Sequence, residues 1–129
     1  MPDSGHDGQR FYCPVELTLD LLGGKWASVV LAHLKEGAHR YGALRRRMPG
    51  TSEKVLVQRL RALEAKGLVE RREITGTGVG AVPAVEYRLT EEGLSLAPVL
   101  QAMYTWGEQR AARTGARIEP VPVTAPEGG

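Results

Sequence analysis

The 129-residue chain has one cysteine, one phenylalanine and only 5% aromatic residues. A lone cysteine excludes an intramolecular disulfide framework. No apolar run approaches the roughly 20 residues that a membrane-spanning helix needs. The segment Met1 to Arg10 also lacks the apolar core of a secretory signal. A soluble, cytoplasmic protein with no membrane association is the expectation. No paired carboxylates, nucleophile–base set or cofactor loop stands out, which argues against an enzyme. His33 and His39 have neither metal-ligand spacing nor cysteine company, so no metal is expected. Gly76-x-Gly78-x-Gly80 leads into a strand pattern instead of opening a helix, which argues against a phosphate-cradling loop. No cofactor is expected.

Charge of either sign is nearly balanced, 17 Lys/Arg against 15 Asp/Glu for a net +2, but the balance hides a strong segregation. Residues 35–72 hold eleven Lys/Arg and four Asp/Glu, while the segments before and after are net acidic. A localised basic stretch on a nearly neutral protein is the footprint of a polyanionic partner or, more plainly, a solvated basic face.

The periodicity of that stretch is informative. Tyr41, Leu44 and Met48 keep i, i+3, i+7 spacing on a short helix that Pro49-Gly50 closes. A second helix runs from about Ser52 to Lys66, capped by Thr51 or Ser52 and ended by Gly67. On it Leu56, Leu60 and Leu63 share one stripe, with Lys54, Gln58 and Arg61 opposite. Two short helices joined by a tight turn, the second anchored by leucines and offering Lys, Gln and Arg, suit the reading of a DNA groove.

Around this pair the chain divides into a flexible arm (1–11), a folded domain (12–113) and a disordered Pro- and Gly-rich tail (114–129). A first helix starts at Cys13-Pro14 and ends at Gly23-Gly24. Its apolar residues Val15, Leu17, Leu19, Leu21 and Leu22 spread over more than one face, which suits burial against both its own core and a partner subunit. A second helix spans about Lys25 to Glu36. Residues 68–74 and 84–89 read as strands, with Val85, Tyr87 and Leu89 alternating. A last helix, capped by Thr90, continues to about Arg113, and Pro98 is expected to kink or divide it. Trp26 and Trp106 sit at apolar helical positions and are read as core. The architecture is α+β, mainly α: a winged helix-turn-helix whose hairpin loop is the wing.

The chain resembles the HxlR family of bacterial winged helix-turn-helix regulators over about residues 12–110. The resemblance rests on Cys13-Pro-Val-Glu16, Leu22-Gly-Gly-Lys-Trp26, Tyr41-Gly-Ala-Leu-Arg45 and Lys54-Val-Leu-Val-Gln-Arg-Leu-Arg61. It continues through Leu63-Glu-Ala-Lys-Gly-Leu-Val-Glu-Arg71, Val85-Glu-Tyr-Arg-Leu-Thr-Glu91 and Gly93. It implies a homodimer whose first and last helices pack across the two-fold axis, with a recognition helix in the major groove and wings toward the minor groove. The resemblance implies a repressor or an activator, often of genes answering aldehydes, quinones or oxidants, with repression the expectation here. One departure is Ala84, which stands where the family commonly has an arginine. The wing loop is also longer, glycine-rich and uncharged.

The candidate DNA-contacting set is Ser52, Lys54, Gln58 and Arg61, with Val57 at its edge for a thymine methyl. Arg45 and Arg46 on the preceding helix, and Arg71, Arg72 and Arg88 on the strands, are candidates for phosphates. Arg59, beside the leucine stripe, suits a structural or phosphate role. The partner would be double-stranded DNA with a two-fold symmetric operator, half-sites about one helical turn apart. The alternative is a winged helix used for protein contact alone. Cys13, at the N-cap of a proline-started helix where the dipole favours a thiolate, is either a redox or electrophile sensor or a buried capping residue. A small-molecule effector between the first and last helices is compatible with the pattern, though no constellation marks its site.

Overall fold

The computed structural model describes residues 8–74 and 84–119. The predicted wing tip (75–83) and parts of the predicted arm (1–7) and tail (120–129) lie outside the described residues. α1 (Pro14–Leu22) begins where the sequence predicts, with Cys13 as N-cap, Pro14 in the first turn and Glu16 at the positive end of the dipole. The Gly23 amide closes it on the Leu19 carbonyl at 2.8 Å. α2 (Gly24–Leu34) ends two residues before the predicted Glu36. The amides of Glu36 and Gly37 reach carbonyls only three residues back, and this tighter winding ends the α-helix.

β1 (His39–Arg40) is absent from the sequence reading, because two residues offer no alternation to detect. α3 (Tyr41–Arg47) follows at once. The turn Met48–Thr51 closes through the Thr51 amide on the Met48 carbonyl, 3.2 Å. α4 (Glu53–Ala65) then starts with the Ser52 hydroxyl accepting from the Val55 amide at 3.1 Å, so Ser52 rather than Thr51 is the cap. Its end is equally well specified. Gly67 takes φ +78°, and the Leu68 and Gly67 amides donate to the Leu63 and Glu64 carbonyls, both at 3.0 Å. These paired bonds satisfy carbonyls that a helix end leaves orphaned.

β2 (Val69–Ile74) and β3 (Ala84–Leu89) form an antiparallel hairpin, and β1 adds to its other edge, giving the order β1-β3-β2. Val69 faces Leu89 and Arg72 faces Glu86 in the register. The last predicted helix is two. α5 (Glu91–Leu94) is capped by Thr90, and α6 (Ala97–Thr114) has Pro98 in its first turn. Proline divides the helix because it lacks the amide a continuous ladder needs. At the α5 start the chain passes very close to the β2 entry. A Cβ on Gly93 would fall on the Leu68 carbonyl oxygen, which already accepts the Thr90 amide at 3.0 Å.

The core gathers Val30, Leu31 and Leu34 of α2, Leu44 and Met48, the three α4 leucines, and Leu68, Val69, Tyr87 and Leu89 around the hairpin. Trp26 packs against it as predicted. Trp106 does not: it is 61% exposed, with Met103 and Val99 on the same helix also exposed, and only Leu100 of α6 is buried. On α1 only Leu22 is buried, while Val15 and Leu19 are largely exposed. Periodicity correctly marks these stripes as apolar, but one chain supplies no surface to cover them.

Candidate nucleic-acid interface

The Ser52 cap and the Gly67 stop define the two ends of α4, and its leucines set which way the helix faces. Leu56, Leu60 and Leu63 are at most 1% exposed, so the opposite stripe of Lys54, Gln58 and Arg61 is turned to solvent. Ser52 is exposed as well, although its hydroxyl is engaged in the cap. Val57 is half-buried at the border of the two stripes. Among the described residues neither Lys54 nor Arg61 enters an ion pair. Arg59 is half-buried beside the leucines, and its Nε is buried with no hydrogen-bond partner among the described residues.

The other cations are placed differently. The arginines of the hairpin face carboxylates. Arg88 grips Glu70 with Nη2 at 2.7 Å and Nε at 2.8 Å, Arg72 meets Glu86 at 3.5 Å, and Arg71 meets Glu73 at 3.7 Å. The two strands hold three arginines and three glutamates, and each arginine is paired with one of those glutamates. On α3, Arg46 and Arg47 are exposed, and Arg47 pairs with Glu36 at 3.4 Å. Arg45 is half-buried and donates from Nη1 to the Thr51 main-chain carbonyl at 3.1 Å. That bond was not foreseen, because a backbone acceptor six residues away leaves no mark in composition or periodicity.

The α3–α4 turn is also supported from α2. Gly50 lies against Trp26, since a Cβ built on it would stand 3.2 Å from the indole Cη2. The Lys25 ammonium sits 4.5 Å from the centroid of a Trp26 ring, a cation–π geometry. The Gly-Gly-Lys-Trp stretch thus joins the core to the turn that presents α4. Two groups nearby are shifted. Burial holds the Tyr41 phenol above its ordinary range, aided by the Glu53 carboxylate. Burial, reinforced by the Arg47 cation, lowers His33 below 6.5.

Cys13 is exposed, and its side chain makes no capping bond, so the buried capping role is not what the fold uses. Val15 and Leu19, on the helix that Cys13 opens, are exposed as well. Along α6, Val99, Met103 and Trp106 line an apolar groove together with Pro98 and Ala102. Among the described residues no helix is long and apolar enough to cross a membrane.

Comparison with known proteins agrees with this geometry. The chain is 42% identical over 111 residues to YkvN of Bacillus subtilis, an uncharacterized HTH-type transcriptional regulator, covering 86% of this chain and 91% of that one. Its fold matches the redox regulator HypR in the reduced form, with TM-score 0.71 at 38% identity, over 81% of this chain and all of HypR. The oxidized form of HypR matches with TM-score 0.67 at 42% identity, over 75% and 96%. The reduced transcriptional regulator YodB from B. subtilis matches with TM-score 0.64 at 34% identity, over 77% and 94%. The model of the HxlR-like helix-turn-helix family covers residues 21–114, most of the chain and all of the turn, α4 and the hairpin. The chain therefore belongs to the HxlR-like helix-turn-helix family and is a transcriptional regulator of helix-turn-helix type.

Proposed function

We propose that the protein is a sequence-specific DNA-binding repressor that works as a homodimer and responds to oxidants or electrophiles through Cys13. The observation that carries the DNA reading is the division of α4: leucines sealed beneath, and Lys54, Gln58 and Arg61 exposed above, with no carboxylate partner among the described residues. Arginine matches guanine O6 and N7, and glutamine matches adenine N6 and N7. Lys54 and the exposed Arg46 suit phosphates, and Val57 suits a thymine methyl. The paired strand arginines Arg71 and Arg72 would have to exchange a carboxylate for a phosphate.

Dimerisation is supported by the exposed apolar residues of α1 and α6. Two copies would present two α4 helices to a two-fold symmetric operator. Redox response is supported by the exposure of Cys13 and by the likeness to HypR, named as a redox regulator. A peroxide would convert the thiol to a sulfenic acid with release of water, and an electrophile would alkylate it. With one cysteine per chain, a protein disulfide could only join two chains.

The test is selection of duplexes from a random library by the wild-type protein, followed by binding and reporter assays with Lys54, Gln58 and Arg61 all replaced by alanine. Selected binding should fall with salt at a log–log slope of about −0.9 per phosphate and vanish in the triple variant. Retention of reporter regulation by that variant would point to protein contact alone. Peroxide should release wild type, and not Cys13→Ser, from the selected duplex. Equal release of both would remove Cys13 from the signal.

A further inference from the structure

The carbonyl of Thr51 lies one residue before the α4 cap, outside the helical ladder, in a residue only 5% exposed. A carbonyl so placed needs a partner from elsewhere in the protein, and Arg45 supplies it across the turn at 3.1 Å. The bond joins the last turn of α3 to the threshold of α4, and so spans the whole of Met48–Thr51. The next residue, Ser52, anchors the first turn of α4 through the Val55 amide, and on the other side Gly50 rests against Trp26. The turn is therefore gripped from α3 by a guanidinium and from α2 by an indole. Such a grip sets the rotation of α4 about its own axis and its tilt from the body.

We propose that Arg45 is a positioning residue, which holds the turn and so sets how α4 enters DNA, and that it is not a phosphate ligand. The inference rests on the reading of α4 as the DNA-contacting helix. Rotating a helix by about 20° swings the tips of long side chains by on the order of 2 Å, given its overall diameter of about 10–12 Å. Hydrogen bonds to base edges tolerate only a few tenths of an ångström, whereas flexible cations follow phosphates through such a shift. Loss of the grip should therefore impair discrimination between sequences far more than general attraction to DNA.

Arg45→Met retains the alkyl stem and removes the donor, and Arg45→Lys returns one donor. Both are compared with wild type on a duplex selected by the wild-type protein and on a scrambled duplex, from about 50 to 200 mM salt. Arg45→Met should bind the selected duplex about ten-fold or more weakly and the scrambled duplex about two-fold weakly or less, with the salt slope unchanged. Arg45→Lys should recover part of the discrimination. A slope smaller by about 0.9, with both duplexes weakened equally, would make Arg45 a phosphate ligand. Equal weakening at constant slope would leave it a stability residue only, and no change would leave it without a role.

Amide exchange on free protein separates this proposal from the DNA reading itself. Arg45→Met should speed exchange at Thr51, Val55 and Leu56, and unchanged protection would overturn the grip. A wild-type protein that selects no sequence would instead overturn the reading of α4.

Discussion

α4 and α6 are both built on apolar stripes at helical spacing, yet they meet opposite fates in the single chain. The α4 stripe, Leu56, Leu60 and Leu63, is wholly enclosed, and what it leaves outside is polar. The α6 stripe is enclosed only at Leu100, and Val99, Met103 and Trp106 stay outside. One helix is completed by its own fold, so its outward face is free for a hydrophilic partner. The other is incomplete in the single chain, and its exposed aromatic and aliphatic residues form the kind of apolar surface on which the proposed dimerisation rests. The same signal, an apolar stripe, thus ends as enclosed core in one place and as exposed surface in the other.

The contrast can be broken by substitution. Leu60→Ala should cost about 2–5 kcal/mol of unfolding free energy, the range for emptying an enclosed leucine site, measured by denaturant titration. A loss below about 1 kcal/mol would mean α4 is not anchored as described. Trp106→Glu should instead leave subunit unfolding within about 0.5 kcal/mol when measured on monomer. It should weaken self-association by about 2 kcal/mol or more, read by sedimentation equilibrium. A strong stability loss in the monomer would place Trp106 in the core after all.

The smallest expected effect concerns neither face. His33 lies beneath its ordinary 6.5 chiefly through burial, with Arg47 and His39 acting in the same direction and Glu36 opposing them. As pH falls below 6.5 the unfolded chain takes up the proton first. The stabilising contribution is therefore full above that value and is lost as pH drops through the folded one. His33→Gln should give a shallower decline of the denaturant midpoint on acidification, and an unchanged decline would assign the acid sensitivity to other groups.

Much of this was legible in the sequence. The start of α1, the α3–α4 pair, the hairpin strands and the break at Pro98 each carry a local cause: a proline, a cap, a leucine stripe or an alternation. What was not legible depends on pairing across distance. β1 has too few residues to show a period and exists only because β3 lies beside it. Glu70 and Glu86 meet Arg88 and Arg72 from the facing strand, pairings that a charge count along the chain does not reveal. Trp106 looked like core because a stripe says that something will cover it and not whether that something is the same molecule.

The crossing of chain at Gly93 and Leu68 has an evolutionary consequence. Position 93 is closed to every encoded residue that bears a side-chain carbon, because the space is occupied by main chain, which no neighbouring substitution can trim. A saturation library sorted for folded protein should return only glycine there. The outward faces of α4 and α6 meet no such wall of main chain and can accept other side chains, whereas this weld between the hairpin and the C-terminal helices cannot.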